Sequence, residues 1–355
     1  MLIYFYIPTL SAGGAEKQCA MIAAGLRRKG YNVNILLDDA GNMKDANKKT
    51  IDDANVPLIE LPKGAFKKIQ FLKKCFASHD DDVCVFSFLT KPNFFASFAG
   101  LGIPAVRVYS GIRNERLPGW KYLIELIVNR LFATGTICNS YRARDFFVGR
   151  GFAKNRTRVI SNAYVSTGKA FYRHNDKNTV AVGVVSRFTP QKDYLTWLRV
   201  VRTVLDAGIN IEAHIEGWGE QEEYVKSWIS ELGLSGNVNL YPGNYDVSSL
   251  LAKLDIYLST SLFEGVSNSI LEAMDACLPI VATHVGDNSQ MIEDGKSGYL
   301  KGLKDVVALS NAVIELAQDA NLRKTFGERA RQILVERYGL DGVLSQYENV
   351  IRGGC

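Results

Sequence analysis

One pattern constrains this chain more than any other: short apolar runs alternate with amphipathic helical stretches, and the whole alternation restarts after about residue 165. In the first half LIYFYIP reads as a strand. GGAEKQCAMIAAGLRRKG reads as a helix with a basic last turn and Gly30 at its stop. YNVNILL, DDVCVFSFL, PAVRVYSG and TGTICNS follow as strands, with helical stretches between them. In the second half TVAVGVVSRF, NIEAHIEG, NVNLYPG, IYLSTS and PIVATHVG read as strands. DYLTWLRVVRTVLDAG, EEYVKSWISELGL, DVSSLLAKLD and NSILEAMDACL read as helices, and LSNAVIELAQDANLRKTFGERARQILVERY as one helical stretch. Strands separated by helices pair in parallel, so each half predicts a doubly wound α/β sheet. The expected domains are 1–165 and 166–337, joined through the polar stretch STGKAFYRHNDKN. Two such domains facing each other would form a cleft at the carboxyl ends of their strands, where open α/β sheets bind ligands.

A length of 355 residues supports two domains with sizeable cores, and 47% hydrophobic with 22% charged residues is ordinary for a soluble protein. No run of eighteen apolar residues occurs, so a spanning helix is not expected. The apolar N-terminus lacks a basic flank and reads as a strand rather than a signal peptide. Cys19, Cys75, Cys84, Cys138, Cys277 and Cys355 have no CxxC spacing and read as buried free thiols of a reducing cytoplasm. The four histidines are scattered, so no metal site is expected. The net charge of +5 hides an asymmetry: residues 1–165 carry 24 Lys/Arg against 13 Asp/Glu, a net of +11, and the remainder is net −6. A basic half points to an anionic membrane, a phosphorylated acceptor or nucleic acid. Nucleic acid is disfavoured, because the aromatics there lie in apolar runs and no recognised module appears.

Three motifs carry chemistry. Ser11-Ala12-Gly13-Gly14-Ala15-Glu16 follows the first strand. Paired glycines there either expose backbone N–H groups to a phosphate or make a tight turn at positive φ, and the motif is not GxGxxG. Ser186-Arg187-Phe188-Thr189-Pro190-Gln191-Lys192 puts two cations in a strand-to-helix loop. Arg187 can fork onto a diphosphate and Lys192 can add a point charge; alternatively both are solvated. The strongest motif is Phe263-Glu264-Gly265-Val266-Ser267-Asn268-Ser269-Ile270-Leu271-Glu272, between a strand and a helix. Gly265 allows close backbone approach, Ser267 and Asn268 suit an N-cap, and the N–H groups of residues 266–269, Val266 to Ser269, would point at phosphates. Glu272 is expected about two helical turns from Glu264, on the order of 10 Å.

With GGAEK at 13–17, SRFTPQK at 186–192, FEGVSNSILE at 263–272 and EDGKSGYL at 293–300, the chain resembles the family-4 retaining glycosyltransferases of the GT-B fold. FLTKPNFFASFAGLGIPAVRVYSGIRNE is similar to a branch that builds bacterial surface polysaccharides and lipid-linked oligosaccharides. The resemblance implies two Rossmann-like domains, with a C-terminal helix at about 338–355 returning to the first. It implies a UDP-sugar donor, a saccharide or lipid-linked acceptor, no metal and no cofactor. By position, Glu264 would bond the donor sugar hydroxyls and Glu272 the ribose. Arg187 and Lys192 would neutralise the departing diphosphate, Gly13 and Gly14 would meet it from the first domain, and Gly217 with the stretch Tyr241-Pro242-Gly243 would cradle the base. Many members place a histidine at the end of the fourth strand. Here Phe86-Ser87-Phe88-Leu89-Thr90 stands there, so no catalytic histidine is assigned. A nucleotide-sugar epimerase would use the same donor site, without an acceptor.

Other features weigh less. Asp80-Asp81-Asp82 precedes a strand, at the wrong end for the cleft, and reads as a solvated loop rather than a metal-binding DxD. Asn155-Arg156-Thr157 is a sequon that a chain without a signal peptide would not present for glycosylation. At 61–78, Lys63, Lys67, Lys68, Lys73 and Lys74 surround Phe66, Ile69, Leu72 and Phe76 with no acid between. Such a helix either packs its apolar face on the sheet or lies on an anionic bilayer, placing the protein on the inner face of the cell membrane.

Overall fold

The computed structural model describes residues 1–11, 13–78, 82–113, 117–166, 179–243 and 246–353. The chain forms two compact units, Met1–Ala163 with Tyr338–Cys355, and Tyr164–Arg337. Most of the stretch read as a joining segment, residues 167–178, lies outside the described residues.

The first unit holds seven parallel strands: β1 (Leu2–Ile7), β2 (Asn32–Leu37), β3 (Leu58–Glu60), β4 (Val83–Phe88), β5 (Val106–Ile112), β6 (Gly135–Cys138) and β7 (Thr157–Val159), in the order β3-β2-β1-β4-β5-β6-β7. Every residue of β1 and β4 is buried, because helices cover both faces. On one face the helix Ala65–Ala77 packs its Leu72 and Phe76 against the sheet. On the other, the helix Gly14–Arg28 meets the C-terminal helix Leu340–Ile351. Their approach is close: a Cβ at Gly25 would lie 2.7 Å from Leu344 Cδ1. Tyr347 anchors the C-terminal helix through an edge-to-face contact with Phe86, ring centroids 5.0 Å apart.

The second unit holds six parallel strands: β8 (Val180–Val185), β9 (Ile211–Gly217), β10 (Val238–Pro242), β11 (Ile256–Ser259), β12 (Ile280–Thr283) and β13 (Gly298–Lys301), in the order β10-β9-β8-β11-β12-β13. Both sheets reverse their winding once, between β1 and β4 and between β8 and β11. Such switch points are where ligands bind in this architecture.

The structure corrects several local expectations. The long helical stretch breaks at Asp319 into Val306–Gln318 and Ala320–Ile333. Asp319 takes an extended conformation (φ −125°, ψ 101°) and its carboxylate accepts from Leu322 N at 2.9 Å, so the aspartate starts a new helix. Gly13 has φ −75° and neither it nor Gly14 takes a positive φ, so the tight-turn reading of that pair does not hold. Of the five lysines of the basic amphipathic helix, Lys68 is taken up by an ion pair within the unit. Its side chain is 13% exposed and its ammonium meets Asp38 Oδ1 at 2.6 Å.

One buried acid makes a testable statement. Glu125, on the helix Gly119–Ile127, is 2% exposed, and Asn93 Nδ2 donates to its two carboxylate oxygens at 2.9 and 3.1 Å. Burial pushes its pKa up from 4.5 to about 7, with the hydrogen bonds from Asn93 and Thr90 opposing. Because the folded pKa is the higher one, the contribution is fully present below about pH 4.5. It is lost as pH rises through about 7, a change of roughly 3 kcal/mol. Glu125→Gln should therefore flatten the dependence of the urea midpoint on pH across that window. An unchanged slope would contradict the assignment.

Candidate active site

The carboxyl ends of β8 and β11 carry the two strongest motifs. The loop after β8 is fixed to the end of β9, where Ser186 N donates to Glu216 O at 3.0 Å and Phe188 N to Trp218 O at 2.9 Å. The approach is tight: a Cβ at Gly217 would lie 2.1 Å from Ser186 O, so that position requires glycine. At the loop's end Asp193 takes a left-handed conformation (φ 46°). Its carboxylate caps the helix Tyr194–Asp206, fixing the exit of Lys192.

The same loop is joined to the loop after β11. Leu262 N donates to Gln191 O and Gln191 Nε2 to Phe263 O, both at 2.7 Å. Thr260 Oγ1 reaches the carbonyls of Lys192 and Asp193 at 3.0 Å. These bonds bring Lys192 Nζ onto Glu264 Oε1 as an ion pair, with the two side chains only 14% and 8% exposed. Ser261 Oγ donates to the same carboxylate oxygen at 2.7 Å. Gly286 (φ 53°) passes directly under this loop, where a Cβ would lie 1.7 Å from Glu264 O. Thr283 Oγ1 holds Ser261 O at 2.6 Å. Arg187 is exposed, with no side-chain hydrogen bond or ion pair among the described residues.

After Glu264, residues Gly265 and Val266 form an irregular half-exposed turn, and the helix starts at Asn268. Glu264 and Glu272 are thus separated by this turn and one helical turn, not by two helical turns. Ser267 occupies the N-cap position, but its hydroxyl makes no cap bond and instead lies 3.2 Å from Ser269 Oγ. The first N–H groups of Asn268–Asp275 therefore have no side-chain cap, and a helix start of this kind suits an anion. Glu272 sits one turn in, half-buried, beside a small cavity of about 120 Å³ also lined by Tyr164, Ser248 and Asp275. Beneath the site Tyr257 bridges β8 and β11, donating to Val185 O at 3.1 Å, and burial raises its pKa.

At the last rung of the β9–β10 ladder Pro242 pairs with Gly217. Beyond it, Trp218 is 59% exposed and lies against Gly243, where a Cβ would be 2.0 Å from Cδ1. Sequence reasoning passed over Trp218, Ser261 and Gly286, and named Gln191 in its motif without a role. Only Gly286 left a signal, a glycine closing PIVATHVG at a strand end.

In the first unit Gly13 caps the helix that Gly14 begins, and the Glu16 carboxylate folds back over Gly13, so that a Cβ there would lie 2.0 Å from Oε2. Gly14 faces open space. At the carboxyl end of β4 no histidine stands. Leu89 there has φ 75°, a conformation that strains any side-chain-bearing residue. A cavity of about 330 Å³ nearby is lined by Asp38, Lys68, Thr90, Lys91 and Trp120. Of the acidic triplet, Asp82 precedes β4 and its main-chain carbonyl accepts from Leu2 N at 3.0 Å; Asp80 and Asp81 lie outside the described residues. No group of three or more potential metal-ligating side chains occurs among the described residues.

Two family models match: Glycosyltransferase Family 4 at residues 12–165 and Glycosyl transferases group 1 at residues 169–333. A poly(ribitol-phosphate) alpha-N-acetylglucosaminyltransferase of Staphylococcus aureus is 28% identical over 170 residues, 48% of this chain and 34% of that protein. The chain thus matches only about a third of the length of that relative. A Campylobacter jejuni alpha-1,4-N-acetyl-D-galactosaminyltransferase, named for a diphospho-undecaprenol-linked acceptor, is 23% identical over 94% of this chain and 93% of its own. Among solved structures, Anabaena Alr3699/HepE in complex with UDP superposes with a TM-score of 0.80 at 20% identity, over 99% of this chain and 100% of that one. The fold is GT-B, two Rossmann-like parallel-sheet domains.

Proposed function

The chain belongs to the family-4-like GT-B glycosyltransferases, and we propose that it moves a sugar from a nucleotide diphosphate-sugar, a UDP-sugar in our reading, to a saccharide acceptor with retention at the anomeric carbon. The acceptor is a lipid-linked saccharide of bacterial surface glycan assembly, met by the basic first unit at an anionic membrane. One observation carries the donor half of this reading. At the switch point between β8 and β11, the free cation Arg187, the Lys192–Glu264 pair and an uncapped helix start lie on adjoining loops.

In the reaction the bond from the anomeric carbon to the β-phosphate breaks, and its electron pair goes to the diphosphate. The acceptor hydroxyl forms the new bond on the same face and passes its proton to the departing phosphate oxygen. Arg187, Lys192 and the N–H groups of Ser267 to Ser269 stabilise the charge as it develops; preformed donors of this kind favour the transition state over the ground state. Glu264 holds the sugar hydroxyls and Glu272 the ribose. Gly217, Pro242 and Gly243 shape the base site, with Trp218 as an aromatic face beside them. This reading assigns charge neutralisation to the protein's cations, not to a metal ion, so a chelator should leave transfer intact.

Calorimetry with uridine and guanosine diphosphates tests the donor site. Wild-type protein should bind the uridine compound, and Arg187→Ala should weaken that binding by about tenfold to a hundredfold, the range of one charge-assisted contact. Equal affinity in the variant would sink the assignment.

A further inference from the structure

The helix Gly119–Ile127 and the π-helical turn Val128–Phe132 that continues it pack Leu126 and Val128 inward and carry a second apolar face outward. Their one acid, Glu125, points inward, while Trp120, Leu123, Ile127 and Leu131 are 59%, 55%, 37% and 65% exposed. Positions 120, 123, 127 and 131 follow helical spacing, so these side chains form one stripe. The stripe continues onto the neighbouring helix Thr90–Gly100, where Phe98 stacks on Phe94 and meets Phe132 edge-on at 6.0 Å.

Cations rim it. Lys121 Nζ lies 5.4 Å over the Trp120 ring, and Arg130 is exposed beside Leu131. Lys91 shares the 330 Å³ cavity with Trp120, as do Gly64 and Ala65, which places the exposed Lys63, Phe66 and Lys67 next to it in the chain. The basic helix Ala65–Ala77 cannot be the main apolar anchor, because Leu72 and Phe76 are spent on the core and only Phe66 is spare.

We propose that the Trp120–Leu131 face inserts into the headgroup layer of an anionic bilayer, with the surrounding lysines and arginine on the lipid phosphates. Charge complementarity selects this occupant: the stripe is apolar, its rim is cationic, the one acid of its own helix is buried, and Asp38 in the adjoining cavity is paired with Lys68. An indole at the edge of an apolar stripe suits the interface, where one side of the ring is apolar and the other wet. This inference rests on the reading of a lipid-carried acceptor, because it explains how the first unit would reach one.

The test is flotation with phosphatidylglycerol-containing and pure phosphatidylcholine vesicles, using wild type, Leu123→Ser/Leu131→Ser and Lys63→Gln/Lys67→Gln. Wild type should float with the anionic vesicles, and less so near about 1 M salt, where the Debye length falls to roughly 3 Å. The serine variant should lose at least tenfold in partitioning at both salts, with unfolding temperature and uridine diphosphate binding unchanged. The glutamine variant should lose only the salt-sensitive part. Equal flotation of wild type and serine variant would overturn this face while leaving the lipid-carried acceptor standing. No flotation of wild type would overturn the face, with calorimetry still judging the donor site separately. A concentration-dependent dimer in sedimentation, abolished by the serine variant, would also overturn it by showing that a second copy covers the stripe.

Discussion

Glu264→Gln should lower turnover by about a hundredfold, the cost of one charged contact aligned to a transition state, while moving the affinity for bare uridine diphosphate by less than about threefold. The carboxylate accepts from both Lys192 and Ser261, so its position is set before any ligand arrives. In the proposed role it touches the sugar and not the nucleotide. Removing the charge should therefore appear in transfer and not in product binding. Glu272→Gln is the contrast, because the ribose belongs to the bare diphosphate as much as to the donor, and its affinity should fall. Steady-state transfer and calorimetry on both variants separate the two roles. Equal loss of diphosphate binding in both would contradict this division. Sugar release with no acceptor present would point instead to an epimerase-like use of the same site.

Lys192→Met should cost both stability and turnover, and a double variant should separate the two. Without the ammonium, Glu264 remains a carboxylate only 8% exposed, held by Ser261 alone. Leaving one partner of a buried pair uncompensated costs about 3–5 kcal/mol. In Lys192→Met/Glu264→Gln the buried charge is gone, so most of that stability should return. Turnover should stay at least about a hundredfold down, since no cation replaces Lys192 at the departing diphosphate. Urea unfolding and transfer assays on the two single variants and the double one complete the cycle. A double variant as unstable as Lys192→Met would show that the pair is not coupled. A double variant with restored transfer would remove Lys192 from the chemistry.

Much of this molecule is legible along the chain, because the determining signals are local. The alternation of six-residue apolar runs such as β1 and β4 with amphipathic helices sets the two parallel sheets, since strands buried on both faces need crossovers. The loops after β8 and β11 can be found the same way, because cations, a glycine and N-cap residues between a strand and a helix are a signal within ten residues. The short edge strands β3, β7 and β13 escaped, since three or four residues that do not lie in a longer apolar run hold no periodicity. The break at Asp319 escaped because residues on both sides of it favour a helix.

What only the tertiary structure decided is which partner each of these side chains finds. Arg187 and Lys192 look alike in sequence. Lys192 is half-buried against Glu264 because Gln191 and Thr260 tie its loop to the next one, whereas Arg187 is left exposed. Lys68 reads as one of five lysines on a basic amphipathic helix until Asp38, thirty residues earlier in the chain, arrives at 2.6 Å. The stripe from Trp120 to Leu131 carries no reading from sequence, because an apolar helical face has the same spacing whether it meets the core or solvent. The fold turns it outward by burying Glu125 against Asn93. The sequence sets which faces are apolar and which loops are charged, through short-range periodicity. Which of them meet, and which are left to solvent, depends on contacts between distant elements that no local pattern encodes.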